Sequence, residues 1–234
     1  MRVLIVHAHH EPQSFNGAMT REATAALIAS GNEVIVSDLY AMKFDPVSDR
    51  RNFITVKESS RLRQQNEEAY AAEHDGFEPA LQTEMDKLAW CDTLILQFPL
   101  WWFGMPAILK GWIDRVFAVG RAYGNRRWFD VGIFAGKRAM CSVTVGGLEP
   151  VYTDRGINGP IGSILFPINH GILGFTGFDV VEPFLVYGPS RISHEQRVSH
   201  LERYRKLVVN LNAAPVIAGP KTADYDENLV LKMS

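Results

Sequence analysis

Two cysteines in 234 residues are too few for a disulfide scaffold, and both Cys91 and Cys141 lie in or beside apolar runs. Buried free thiols are therefore expected. No apolar run approaches the roughly 20 residues that a membrane-spanning helix needs. Charge of one sign is lacking too: 24 Lys and Arg against 26 Asp and Glu leave a net charge of −2 and no basic footprint for a nucleic acid. The cations are scattered apart from Arg126-Arg127 and the group Arg203, Arg205 and Lys206, which are too few to mark a polyanion site. The chain enters a strand at once through Arg2-Val3-Leu4-Ile5-Val6, without the layout of a signal peptide, so a cytoplasmic location is expected. There is no Gly-x-Gly-x-x-Gly and no Walker sequence, which argues against a classical dinucleotide fingerprint and an NTP site.

What the chain does have is alternation. Apolar runs at 3–7, 33–37, 93–98, 137–144 and 178–184 read as strands. Between them, 16–30, 106–119, 160–173 and 193–211 read as helices, the last with Ser193 as N-cap and Gln196 as its capping-box partner. Such a pattern predicts an α/β fold: a doubly wound parallel sheet of about five strands, in flavodoxin-like order, with helices on both faces. One domain is expected over residues 1–212. The polar segment 48–79 interrupts it and reads as a helical insertion, either a dimer arm or a linker. Residues 213–234 read as a C-terminal surface extension.

In an open α/β sheet, ligands bind at the carboxyl ends of the strands. Three loops there carry suitable residues. After the first strand, His7-Ala8-His9-His10 leads to Ser14, a candidate N-cap, and Asn16; free backbone N–H groups in that turn suit an anion such as a phosphate. After the 93–98 strand, Pro99-Leu100-Trp101-Trp102-Phe103-Gly104 places three adjacent aromatics ahead of the helix that Pro106 starts, and suits a flat apolar ligand. After the 137–144 strand, Thr144-Val145-Gly146-Gly147 allows close approach to the backbone. Aromatic clusters also build cores, and Gly-Gly also builds ordinary turns, so the specificity lies in the convergence of the three loops. Histidines 7, 9 and 10 lack further ligands at useful spacing apart from Glu11, and no metal site is expected.

These residues carry a resemblance. Ser14-Phe15-Asn16, Ser37-Asp38-Leu39-Tyr40-Ala41-Met42, Phe98-Pro99-Leu100-x-Trp102-Phe103-Gly104 and Pro106-Ala107-Ile108-Leu109-Lys110-Gly111-Trp112 resemble the NAD(P)H:quinone oxidoreductases of the DT-diaphorase type. The likeness continues through Arg115-Val116-Phe117, Ala122-Tyr123, Gly146-Gly147, Tyr152, Gly171-Ile172-Leu173 and Glu182-Pro183, and covers residues 3 to about 207. It implies FAD (with FMN as the alternative), a homodimer with active sites at its interface, and ping-pong two-electron reduction of quinones by NAD(P)H. Residue by residue, it implies that His9, Ser14, Phe15, Asn16 and Ala18 hold the phosphates and ribityl chain. Pro99, Leu100, Trp101, Trp102 and Phe103 line the isoalloxazine, and Thr144, Val145, Gly146 and Gly147 meet its pyrimidine side. Tyr152 polarises the ring, Arg197 reaches the adenine end, and Tyr123 covers the substrate from the other subunit.

Two positions depart from the family pattern. Asn125 stands where mammalian members have tyrosine, and Asn158 where they have a histidine that partners the negative charge of the reduced flavin. Asn158 can donate a hydrogen bond but cannot carry a proton. Both stay on the list of expected substrate-binding residues, with Asn158 beside Tyr152 as the catalytic pair. Alternatives within the resemblance are an azo- or nitro-reductase and an ancillary regulatory subunit of a potassium-efflux transporter.

Overall fold

The structure, a computed structural model, describes residues 1–232. Five strands form one wholly parallel sheet: β1 (Arg2–His7), β2 (Glu33–Asp38), β3 (Thr93–Pro99), β4 (Arg138–Val145) and β5 (Asp179–Tyr187). Their spatial order is β2-β1-β3-β4-β5, the flavodoxin-like order the alternation predicts. Every residue of the central strand β3 is buried, as expected where helices cover both faces of a parallel sheet.

Six α-helices supply that cover: α1 (Phe15–Ala29), α2 (Gln64–Glu73), α3 (Pro79–Trp90), α4 (Ala107–Val116), α5 (Ile161–Ile168) and α6 (His194–Val208). On one face, Met19, Ala23 and Leu27 of α1 and Tyr204 and Val208 of α6 pack on Val3, Ile5 and Ile95. On the other, α3, α4 and α5 pack on Leu4, Val6, Leu94 and Leu96. The strand residues alternate between the two cores because their side chains alternate between the sheet's faces. The capping box of Ser193 and Gln196 is formed. Cys91 and Cys141 are buried free thiols; burial pushes them up to about 11 and about 12, away from thiolate chemistry.

Helix α3 is absent from the sequence-based alternation. Its apolar stripe is Leu81, Met85 and Leu88 at helical spacing, Pro79 stands in the first turn, and the Glu78 carboxylate accepts from the N–H groups of Ala80 and Leu81. The expected 160–173 helix is broken. Pro167 lies inside α5, and a π-helical turn at Asn169–Gly174 follows it. Proline withdraws a ladder donor, and the widened turn follows directly.

The 48–79 insertion contains α2, and it is anchored rather than loose. Arg115 of α4 is only 6% exposed. Its Nε donates to Asn52 Oδ1 (2.7 Å), its Nη1 donates to the Asp45 carbonyl (2.6 Å), and its guanidinium lies over Phe44. At the other end of the chain, Ile217 N–H donates to the Val180 carbonyl and Val216 pairs with Val181, so the extension runs along the outer edge of β5. Residues 233 and 234 of that extension lie outside the described residues. Arg115→Met keeps the side-chain volume and deletes both bonds. It should lower unfolding free energy by about 2 to 3 kcal/mol in urea titration, because a buried and a part-buried acceptor lose their donors; an unchanged midpoint would show that the insertion is anchored elsewhere.

Candidate flavin site

The three expected loops meet above the carboxyl ends of β1, β3 and β4. They are joined from below by side chains inside the sheet. Gln97 of β3 is fully buried; its Nε2 donates to Asn16 Oδ1 (2.8 Å), and its Oε1 accepts from Tyr204 OH (3.2 Å). Asn16 Nδ2 in turn donates to Thr144 Oγ1 (2.6 Å). The first turn of α1 is thus tied to the ends of β3 and β4. Leu100 N–H continues the ladder by donating to the Thr144 carbonyl.

In the first loop, Ser14 is the N-cap: its Oγ accepts from Gly17 N–H (3.1 Å). That leaves the N–H groups of Phe15 and Asn16 in the first turn of a 15-residue helix, aimed out of its positive end. The side chain of Phe15 packs into the core and that of Asn16 is taken up by Gln97 and Thr144, so these two offer backbone donors only. Ala18 is half-buried one residue beyond Gly17. His9 Nδ1 accepts from Glu11 N–H (3.0 Å), which leaves the proton of the neutral ring on Nε2. Burial, with His10 stacked beside it, holds His9 below the ordinary imidazole value. His7 turns inward, 2.8 Å from Thr20 Oγ1, away from the loop.

The second loop is a tight turn. Trp101 N–H donates to the Gly104 carbonyl and Gly104 N–H returns to the Trp101 carbonyl. The two central residues both have positive φ, Trp102 at 50° and Phe103 at 60°. This is a type I′ pattern, usually built from Asn and Gly. Two aromatics there cost of order 1–3 kcal/mol each, a strain that marks functional sites. Its consequence is presentation: Trp102 is 98% exposed and Phe103 52%. Trp101 leans the other way, against His9 and His10, and joins the second loop to the first.

In the third loop the two glycines differ. A Cβ on Gly147 would lie 2.8 Å from the Tyr152 ring, so this glycine lets Tyr152 fold flat onto the loop backbone. Gly146 meets nothing within 4 Å and keeps an open face. The Val145 carbonyl is taken by Gly188 N–H. Asn158 N–H donates to the Val151 carbonyl, which folds Asn158 back to the stretch that carries Tyr152. Tyr152 itself rests on Tyr187, a supporting ring the motif reading does not include.

Tyr123, Asn125 and Arg197 stand on segments outside the three loops. Tyr123 packs on Phe175 and, with Ile113, Phe117 and Ile172, lines a cleft of about 420 Å³ beside the carboxyl half of α4. Trp102 stands before the start of that helix. Asn125 (φ 53°) and Arg126 (φ 58°) sit at the tip of a turn closed by Arg127 N–H to the Gly124 carbonyl. Asparagine tolerates that conformation, which gives Asn125 a local reason for its identity. Arg197 donates to the carbonyls of Pro189 and Ile192 and braces the loop before α6.

Comparison with known proteins agrees with this geometry. A family model described as flavodoxin-like fold matches residues 1–208. NAD(P)H dehydrogenase [quinone] 1 of Cavia porcellus is 43% identical over 94% of this chain and 81% of its own. The human ribosyldihydronicotinamide dehydrogenase [quinone] is 39% identical over 84% of this chain and 85% of its own. A solved structure of an NAD(P)H:quinone oxidoreductase from Methanothermobacter marburgensis superposes with a TM-score of 0.68 at 26% identity, covering 91% of this chain and 97% of that one.

The chain belongs to the flavodoxin-like NAD(P)H:quinone oxidoreductase family.

For a member of this family the residues present fit a flavin. An open glycine face, an outward-turned indole and two unclaimed helix N–H groups are what a flat ring with an anionic tail requires. Gln97 is the residue the motif reading misses. The signal was available, since a lone amide interrupts an otherwise aliphatic buried strand. The pH behaviour of the first loop follows from His9. The neutral ring accepts the Glu11 N–H, so its contribution is complete above the ordinary value of 6.5 and is lost as pH falls through the lowered value of the folded state. In an NMR titration, His9 should show a midpoint below 6.5, with the Glu11 amide moving in step; a midpoint above 6.5 would mean that the charged form is the one bound.

Proposed function

We propose that the protein is a homodimeric cytoplasmic flavoenzyme that carries a hydride from NAD(P)H to a quinone in two ping-pong half-reactions. The single observation that carries this reading is the strained Trp101–Gly104 turn at the carboxyl end of β3, which holds Trp102 almost wholly out of the protein. Strain of that kind is retained where it prepares a surface for a ligand.

FAD, with FMN as the alternative, would supply the redox chemistry when bound, as an acceptor and donor of hydride. The residues do the rest. Phe15 and Asn16 N–H groups, Ser14 and the His9 Nε2–H hold the anionic tail, and Ala18 leaves room beside it. Pro99, Leu100, Trp101, Trp102 and Phe103 line the ring, while the backbone from Thr144 to Gly147 faces its polar edge. Arg197 braces the 189–192 loop toward the adenine end. The Tyr152 hydroxyl donates a hydrogen bond to the ring where negative charge develops. Asn158 would add a neutral hydrogen-bond donor and cannot itself relay a proton. Tyr123 covers the substrate from the second subunit. Its distance from Trp102 along α4 supports this: seven residues of helix, from Ala107 to Ile113, span about 10 Å. Asn125 replaces an aromatic wall with a turn, which favours small quinones.

Absorbance spectroscopy tests the reading. The purified protein should show a flavin spectrum that bleaches anaerobically with NADH, NADPH or N-ribosyldihydronicotinamide and recovers on adding menadione. A protein that binds neither FAD nor FMN would overturn it. Trp102→Ala separates site from fold. Unfolding stability should stay within about 0.5 kcal/mol, as for an exposed side chain. Flavin or quinone affinity should fall roughly 2- to 10-fold, the loss of one aromatic stacking partner.

A further inference from the structure

The loop that carries Tyr123 is held by the polar insertion. Glu68 of α2 is 3% exposed, and its carboxylate has one backbone and one side-chain donor: Oε2 accepts from Val119 N–H (2.9 Å) and Oε1 from Gln64 Nε2 (2.9 Å). Val119 is bridged to Tyr123, and Gly120 N–H donates to the Tyr123 carbonyl (2.8 Å), so fixing Val119 fixes the base of the tyrosine. One residue along α2 from Gln64, Gln65 Nε2 donates to the Tyr123 hydroxyl itself (3.3 Å). The packing between these pieces is tight, since a Cβ on Gly120, which has a φ of 83°, would lie 2.8 Å from the Ala72 methyl. Gln64 also donates to Ser48 Oγ (3.1 Å), as does Asn52 Nδ2 (3.0 Å), and Asn52 is the acceptor of Arg115. A continuous hydrogen-bonded path thus runs from α4 through the insertion to the Tyr123 loop.

A buried carboxylate is costly to keep without a cationic partner, and burial raises Glu68 above the ordinary carboxylate value. A residue retained under that cost, with one oxygen committed to the Val119 N–H and the other held by Gln64 of its own helix, points to a demand for a fixed loop geometry. We infer that Glu68 and Gln65 are positioning residues for Tyr123: Glu68 sets the loop through Val119, Gln65 sets the phenol, and together they set how tightly the substrate is held under the ring. The inference rests on the proposed substrate-covering role of Tyr123. It gives the insertion a part in quinone affinity that is separate from anchoring the fold.

Steady-state kinetics with menadione and hydrogen exchange decide it together. Glu68→Gln keeps shape but replaces one acceptor by an NH₂. It should raise KM for menadione about three- to tenfold with kcat within twofold, and Gln65→Leu should act in the same direction. In a Tyr123→Ala background neither change should move KM further. An equal rise in that background would overturn the proposal, because the two residues would then act elsewhere. Exchange is read on the protein irrespective of turnover. Glu68→Gln should speed amide exchange over residues 117–127 while the α1 and β3 amides stay protected, and unchanged exchange there would also overturn it. If the wild-type protein binds flavin yet reduces no quinone, the functional reading fails on its own, and the exchange result still decides whether Glu68 holds the loop.

Discussion

In β3, a strand buried along its whole length, Gln97 follows Leu94, Ile95 and Leu96 with an amide that has to be satisfied inside the protein. It is satisfied by parts that come from three different places in the chain: Asn16 from the start of α1, Tyr204 from α6 and, through Asn16, Thr144 from the end of β4. Hydrogen bonds of this kind contribute about 1 kcal/mol each when made and cost more when one partner is lost. Their larger effect is geometric. A buried amide with fixed partners admits one register of helix against sheet, whereas an aliphatic contact tolerates sliding. The free N–H groups at the start of α1 and the glycines after β4 are therefore held at a set separation, with the aromatic turn between them. Each element of the candidate site depends on that separation.

The same logic operates twice more at larger distance. Arg115 ties the insertion to α4 through Asn52 and Asp45, and Glu68 ties the Tyr123 loop to the insertion through Val119. In all three places a buried polar side chain reaches a group far away in sequence where hydrophobic burial alone would leave position open. Hydrophobic burial accounts for the sheet and the helices that cover it; these polar contacts account for where the loops stand. Exposed ion pairs such as Arg51 with Asp49 have no comparable role, since surface pairs contribute little.

That division explains how much was legible beforehand. Strand order and the two-sided helical cover follow from apolar runs and their alternation, which the residues display directly. The three ligand-facing loops follow from their position at strand ends. Helix α3 was hidden because Thr83, Glu84, Asp86 and Lys87 dilute its apolar stripe, and Glu84, though buried, reads as surface until its bonds to Lys87 and the Trp112 indole are seen. The inward turn of the Asn16 amide and the bond from Gln65 to the Tyr123 hydroxyl were illegible for a different reason. Both depend on partners 58 to 128 residues away, and no local pattern encodes them.

The aromatic turn shows how these levels combine. A type I′ turn with tryptophan and phenylalanine at its centre is locally unfavourable, so its persistence requires that the flanks leave no easier alternative. Pro99 ends β3 and Pro106 begins α4, which restricts the chain on both sides. The reciprocal bonds between Trp101 and Gly104 close the turn, and the Trp101 ring is held by His9 and His10. Leu100 is fixed in turn by the Thr144 carbonyl, one atom path away from the Asn16 and Gln97 network. The turn is thus joined through Leu100 and Thr144 to the buried amide that fixes the helices against the sheet. A planar ligand meets an indole already turned outward, and the ordering cost that a flexible loop would subtract from its affinity has been met during folding.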